Sequence, residues 1–295
     1  MRFDIVTGAN GYLGSYLVEY LLKQGRNVIC VVRSPLKTDS KLCESLHCKI
    51  LVCPLEKIEE LPNLLPEGLL VDVCYHLAWH YGKKMQSSSV YEQVDYIQES
   101  MRLMDAVRQR DCNRFIGVGS IIEANSDLPL SKHPNMVYAI TKDCTNKLLR
   151  LRARKYNLQY TWCRLCSIYG GGDKTGNLIS YTVSCLKDGV SPEYGEGQQP
   201  YSFIHVEDCA EILGRIGMYC GNIPEQLTIA GPECKSVREY MQILRDVMQV
   251  ETPLLFGKKE DDGIRYNADM FCNDWIVKTL GMQYRHPFAE EFRPA

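Results

Sequence analysis

The chain has 295 residues, 45% hydrophobic and 24% charged, and its 34 basic and 36 acidic side chains leave a formal charge of −2. This is globular composition, which excludes disordered, collagen-like and fibrous architectures, and the near-neutral balance lacks the basic field of a nucleic-acid or anionic-membrane binder. No run reaches the roughly 18 apolar residues of a membrane span, and Met1-Arg2-Phe3-Asp4 leads straight into a strand with no signal-like apolar core, so a cytoplasmic protein is expected.

Arg2–Thr7 reads as a buried strand. A Gly-rich turn follows, then a helix over Tyr12–Leu22, in which Leu13, Leu17, Val18, Leu21 and Leu22 share one face. Apolar strands are predicted at Asn27–Val32, Lys49–Cys53 and Val71–Leu77, and an amphipathic helix over Ser88–Arg110. Arg114–Val118 is a fifth strand, Val137–Tyr156 a long helix and Gln159–Leu165 a sixth strand. Apolar strands without period-two alternation, separated by helices, predict an α/β fold with a doubly wound parallel sheet. Phe203–Val206 and Glu207–Gly214 form a strand and helix returning to that sheet. Gln226–Ile229, Ser236–Met248 and Asn267–Leu280 are assigned to a smaller mixed lobe, with Ser236 and Glu239 as a capping box. The expected division is residues 1–166 with 203–224 in the sheet domain, and 167–202 with 225–295 in a substrate-facing lobe. The 14 cysteines are scattered. The single CxxC, Cys163 to Cys166, falls on a strand where positions three apart face opposite ways, so no metal or redox site is expected.

Thr7-Gly8-Ala9-Asn10-Gly11-Tyr12-Leu13-Gly14 lies between the first strand and first helix. Gly8 permits a tight turn, Gly11 lets backbone approach a pyrophosphate, and Gly14 lets helix and strand pack closely, so this segment is read as a dinucleotide-phosphate loop. The second strand ends Val31-Val32-Arg33-Ser34-Pro35, with Lys37 beyond. An arginine there suits the 2′-phosphate of NADPH better than the ribose of NAD, which favours a carboxylate.

Tyr138 and Lys142 stand four apart on a helix, so phenol and ammonium share a face and the cation eases proton transfer by the phenol. Ser120, at the carboxyl end of the fifth strand, lies where parallel sheets bind ligands and could hold a carbonyl oxygen.

Together these features resemble the extended short-chain dehydrogenase/reductase superfamily, in its nucleotide-sugar branch, over nearly the whole chain. Tyr75-His76-Leu77-Ala78-Trp79 is similar to the "HLA" segment beside the cofactor. Arg164 to Gly170 resembles "RxxNxYGP", and Gly195 to Asp208 resembles "GDGxQxRDFIHVDD". The resemblance implies a Rossmann fold. It gives catalytic roles to Ser120, Tyr138 and Lys142, and cofactor contacts to Gly8, Asn10, Gly11, Tyr12, Leu13, Gly14, Arg33, Lys37, Leu77, Ala78, Tyr138 and Lys142. Trp79, Ile121, Ser167, Asn177 and Tyr201 are substrate-pocket candidates, and a homodimer through the two long helices is implied. Ser167 replaces the family's Asn, Gly171 its Pro, Tyr201 its Arg, Asp95 the Asn of the fourth helix, and Pro54 an acidic residue near adenine. Ile121-Ile122 stands where dehydratases carry Asp-Glu, and aliphatic side chains move no protons, although Glu123 follows. The expected activity is NADPH-dependent reduction of the 4-keto group of a nucleotide-linked deoxysugar. The alternatives are a nucleotide-sugar 4-epimerase, a reductase of a non-nucleotide ketone resembling dihydroflavonol reductases, or a dinucleotide-sensing protein without chemistry.

Overall fold

The computed structural model describes residues 2–37, 40, 42–79, 90–128, 134–173 and 176–293. In chain order the strands are β1 (Arg2–Thr7), β2 (Val28–Val32), β3 (Cys48–Val52), β4 (Leu70–His76), β5 (Arg114–Ser120), β6 (Gln159–Leu165), β7 (Ser167–Tyr169), β8 (Pro200–Tyr201), β9 (Phe203–His205), β10 (Gln226–Ile229) and β11 (Lys235–Ser236). The helices are α1 (Tyr12–Lys23), α2 (Leu61–Leu64), α3 (Val90–Arg108), α4 (Met136–Tyr156), α5 (Leu178–Lys187), α6 (Val206–Met218), α7 (Val237–Val247), α8 (Asp274–Leu280) and α9 (Phe288–Glu291). The first two residues of the expected Ser88–Arg110 helix lie outside the described residues, as do His80 and part of the Gly170–Gly176 loop.

Seven parallel strands form the main sheet in the order β10-β6-β5-β4-β1-β2-β3. Strand neighbours alternate between its faces. Val6, Cys30 and Tyr75 pack with Leu17, Leu21, Ile212 and Ile216 from α1 and α6 on one side. Ile5, Ile29 and Cys74 pack with Leu103, Met104 and Leu149 from α3 and α4 on the other. A sheet covered on both faces must be apolar on both, which is why its strands lack polar alternation. Chain order reverses between β1 and β4, and the crevice beyond their carboxyl ends is where such a sheet receives ligands.

Three expectations change. Gln226–Ile229 belongs to the main sheet, as its edge strand parallel to β6, rather than to the smaller lobe. Asn267–Leu280, assigned to the smaller lobe, is a 3-10 turn at Ala268–Phe271 followed by α8, and its Ile276 and Leu280 join the α1–α6 core instead. Helix α5 was not anticipated. The smaller lobe centres on Tyr169, Ile179, Tyr194, Phe203, Tyr240, Met241, Leu244 and Phe288. Ser236 caps α7 in the predicted box with Glu239.

Candidate active site

The cleft begins at Gly8, whose φ of +68° favours glycine. A Cβ there would also stand 3.0 Å from the Ala78 nitrogen, a crowded contact that glycine spares where the turns after β1 and β4 meet. Beneath them the Ala78 N–H donates to Thr7 Oγ1 at 3.2 Å, and Thr7 Oγ1 lies 2.9 Å from His76 Nδ1. His76 Nε2 lies 2.9 Å from Ser100 Oγ, which donates to the Tyr96 carbonyl at 2.7 Å. That direction assigns the imidazole proton to Nε2 and makes Nδ1 the acceptor from Thr7. Burial, then the charge of Lys142, pushes His76 down to about 3, so the relay holds one protonation state at neutral pH. Both ring nitrogens of His76 are thus taken up by Thr7 and Ser100.

Among the described residues no side chain caps the start of α1, where Gly11 is extended at φ −75° and ψ 172°. Uncapped N–H groups at a helix start beside a Cβ-free turn fit the pyrophosphate of a dinucleotide. Asn10 is exposed and Tyr12 and Leu13 are half-buried around this start; the Tyr12 hydroxyl donates to the Gly170 carbonyl at 3.1 Å. Arg33 and Lys37 are exposed beyond the carboxyl end of β2, and Leu77 and Ala78 line the end of β4.

Helix α4 brings Tyr138 and Lys142 to the end of β5. Lys142 is buried, and its ammonium donates to the Val118 carbonyl at 2.7 Å. Its Nζ lies 4.0 Å from the centre of the Trp79 ring, 5.6 Å from that of Trp162 and 5.8 Å from that of Tyr138. Tyr138 is half-buried and meets Trp79 edge-on, with centroids 6.3 Å apart. Trp79 is held in turn by Gln93 Oε1, which accepts from its Nε1 at 3.2 Å. Desolvation pulls the Lys142 ammonium down to about 7, with the charge of Glu123 opposing the fall. Trp79, expected to face substrate, thus covers the lysine.

Ser120 ends β5 and starts a 3-10 turn over Ile121–Asn125, in a capping box with Glu123. Glu123 points inward. Its Oε1 accepts from the Ser120 N–H at 2.6 Å, and its Oε2 from Trp162 Nε1 at 2.8 Å and Arg164 Nε at 3.1 Å. Its place after Ile121-Ile122 gives no sign of this role in the sequence; the signal is the Gly-Val-Gly run at 117–119, where a Cβ on Gly119 would overlap Glu123 Oε1.

Ile121 is buried with Cys166, Ala230 and Phe271, and Tyr201 packs against this group. The Ser167 and Tyr201 hydroxyls lie 2.9 Å apart, so two unusual residues 34 positions apart are hydrogen-bonded partners. The Asn177 amide serves the chain itself. Its Oδ1 accepts from the Ile179 and Ser180 N–H groups, and its Nδ2 donates to the Ile168 carbonyl and Asp173, each at 3.0 Å. Cys163 and Cys166 lie in separate clusters.

His205 caps α6, its Nδ1 accepting from the Glu207 N–H at 3.3 Å, with Glu207 and Asp208 in the helix's first turn. It stacks on His286 with centroids 4.1 Å apart and planes 18° apart. Ligand atoms of His205, Glu207 and His286 lie within 4.8 Å of one another, but an ion must lie in each donor ring's plane, and nearly parallel planes do not converge on one. Among the described residues no helix is long and apolar enough to cross a membrane.

The sequence profile of the NAD dependent epimerase/dehydratase family matches residues 5–222. CDP-abequose synthase from Salmonella typhimurium is 28% identical over 291 residues, covering 95% of this chain and 92% of that protein. A dTDP-4-dehydro-6-deoxy-D-allose reductase from a Streptomyces species is 23% identical over 279 residues, covering 84% and 81%. The structure of MoeE5 in complex with UDP-glucose and NAD matches with a TM-score of 0.76 at 24% identity, covering 98% of this chain and 96% of that one.

Proposed function

We infer that this chain, which belongs to the NAD dependent epimerase/dehydratase family, reduces the 4-keto group of a nucleotide-linked deoxysugar with NADPH. The observation that carries the reading is the Tyr138–Lys142 pair at the carboxyl end of β5, beside a turn bare enough to admit a pyrophosphate. When bound, the dihydronicotinamide supplies a hydride to the ketone carbon. Tyr138 then gives its phenolic proton to the developing alkoxide, and the Lys142 ammonium stabilises the phenolate left behind. Ser120 holds the carbonyl oxygen. Atoms balance as ketone, NADPH and one proton giving alcohol and NADP, with Tyr138 reprotonated from solvent. Gly11 and the open start of α1 would hold the pyrophosphate, with Gly8 and Gly14 keeping the turn close to the strand and helix, and Arg33 with Lys37 would meet the 2′-phosphate.

We assign the sugar to the surface bordered by Trp79, Ile121, Ser167 and Tyr201, where the Ser167–Tyr201 pair offers neutral hydroxyls instead of a guanidinium. The similarity to a dTDP-4-dehydro-6-deoxy-D-allose reductase from a Streptomyces species supports the reaction class. Exposed Tyr91, Val94 and Ile140 on the packed helices α3 and α4 support a homodimer through that face. The test is a panel of CDP-, dTDP-, GDP- and UDP-linked 4-keto sugars monitored by NADPH absorbance. One nucleotide class should be consumed stoichiometrically with NADPH. Sugar isomerisation without added reductant would overturn the reading in favour of a 4-epimerase.

A further inference from the structure

Lys142 is a buried cation with one carbonyl acceptor, and among the described residues no carboxylate lies within 4.0 Å of it. A charge so placed needs compensation from farther off. Glu123 is buried to 1% exposure on the 3-10 turn after β5, and the Trp162 indole connects the two. The indole N–H donates to Glu123 at 2.8 Å, while its ring centre lies 5.6 Å from Lys142 Nζ. Donation to a carboxylate polarises the ring and enriches the π-face that meets the cation. The strand is cut to fit: a Cβ on Gly117 would overlap the Trp162 ring, and one on Gly119 would overlap both Trp162 Nε1 and the Glu123 carboxylate. Gly117 pairs with Trp162 across β5 and β6, so the indole lies flat over the Gly-Val-Gly run whose central carbonyl holds Lys142.

We propose that Glu123 is a positioning residue for Lys142, its buried charge acting beside and through the Trp162 indole to keep the lysine cationic and in place. The inference rests on the preceding reading in taking Lys142 as a working residue. Other titratable groups around the lysine are Tyr138 on its own helix and His76 on β4; Arg164 on β6 bonds Glu123 and Asp143. His76 stays neutral, and Arg164 adds positive charge, so the carboxylate of Glu123 carries the compensation. Burial pushes the Glu123 carboxyl up, and the Trp162 bond and Lys142 charge pull it back.

The test is Glu123→Gln, with Trp162→Phe as a second variant that keeps bulk and removes the N–H. The titration of Lys142 is followed in each folded protein by the pH dependence of its acetylation rate, read by mass spectrometry. The lysine should deprotonate at least about one pH unit lower in Glu123→Gln, the size of shift expected from one nearby opposite charge. Trp162→Phe should shift it in the same direction by less. The high-pH limb of turnover should move down with it, while turnover near pH 6 stays within a few-fold of the parent. An unmoved titration in the folded Glu123→Gln protein overturns the inference. A lowered titration with an unmoved turnover profile upholds the Glu123–Lys142 link and removes Lys142 from the proposed reaction instead.

Discussion

Arg33→Gln separates the two nicotinamide cofactors. Arg33 follows the last residue of β2, a strand pinned by the Gly8 N–H to Val31 carbonyl bond at 3.1 Å and by β1 and β3 on either side. Its position relative to the phosphate turn is therefore set by the sheet, while its side chain is exposed. A charge-assisted hydrogen bond to phosphate is worth about 1.5–3 kcal/mol, and an exposed ion pair about 0.2–1 kcal/mol. An exposed guanidinium on a doubly charged phosphate falls between them, near 1.4 kcal/mol, or about tenfold in affinity. By isothermal titration, Arg33→Gln should weaken NADPH binding about tenfold and change NADH binding less than twofold. The parent's preference for NADPH should shrink as salt rises, because the contact is open to screening. Equal weakening of both cofactors, or a parent that binds NADH more tightly, would refute both the placement of the 2′-phosphate and the case for a reductase.

Tyr138→Phe should lower turnover at least about 100-fold while cofactor affinity, measured by titration, stays within a few-fold, since only the proton donor is lost. Ser167→Ala, Tyr201→Phe and the double variant should give a coupling of about 1 kcal/mol in kcat/KM, from the single hydrogen bond at 2.9 Å; strictly additive losses would show that the pair does not act as a unit toward substrate. Glu99 on α3 is buried, its Oε2 has no partner among the described residues, and burial, then the charge of Glu56, pushes its carboxyl up to about 7. Because the folded state holds that proton more tightly than the unfolded chain, the stability present below about pH 4.5 is lost as pH rises through 7. Glu99→Gln should therefore raise Tm by several degrees at pH 8 and leave it nearly unchanged at pH 5; a rise of the same size at both would show that charge is not the cause.

The strands of the main sheet were readable because each is a short apolar run bounded by turns, and a run buried on both faces needs no alternation to declare itself. Location is another matter. Gln226–Ile229 reads as a strand, but four residues do not say which edge they join, and the partner lies some 60 residues back on β6. Helix α5 was missed because its apolar residues follow a loop rich in glycine, where Asn177 reads as a pocket residue rather than the cap it forms. The Tyr138–Lys142 pair was legible since four residues on a helix fix a common face. The Trp79 ring over Lys142 was not, because a contact across 63 positions has no local signature. The departures at Ser167 and Tyr201 looked like separate losses until the fold put one hydroxyl against the other.

The stretch after Leu280 fastens both layers of the molecule. Arg285 reaches Glu211 on α6, its N–H donates to Asp208 on the same helix, and the Tyr169 hydroxyl from β7 donates to the His286 carbonyl. A few residues further on, Phe288 is wedged among Tyr169, Phe203 and Tyr240. One short stretch of backbone thus works as a buckle, latched at one end to the helix that backs the main sheet and at the other to the aromatic heart of the smaller lobe. Cutting this stretch between Arg285 and Phe288 would therefore part α6 from the aromatic cluster of the smaller lobe while leaving the seven-stranded sheet its own contacts.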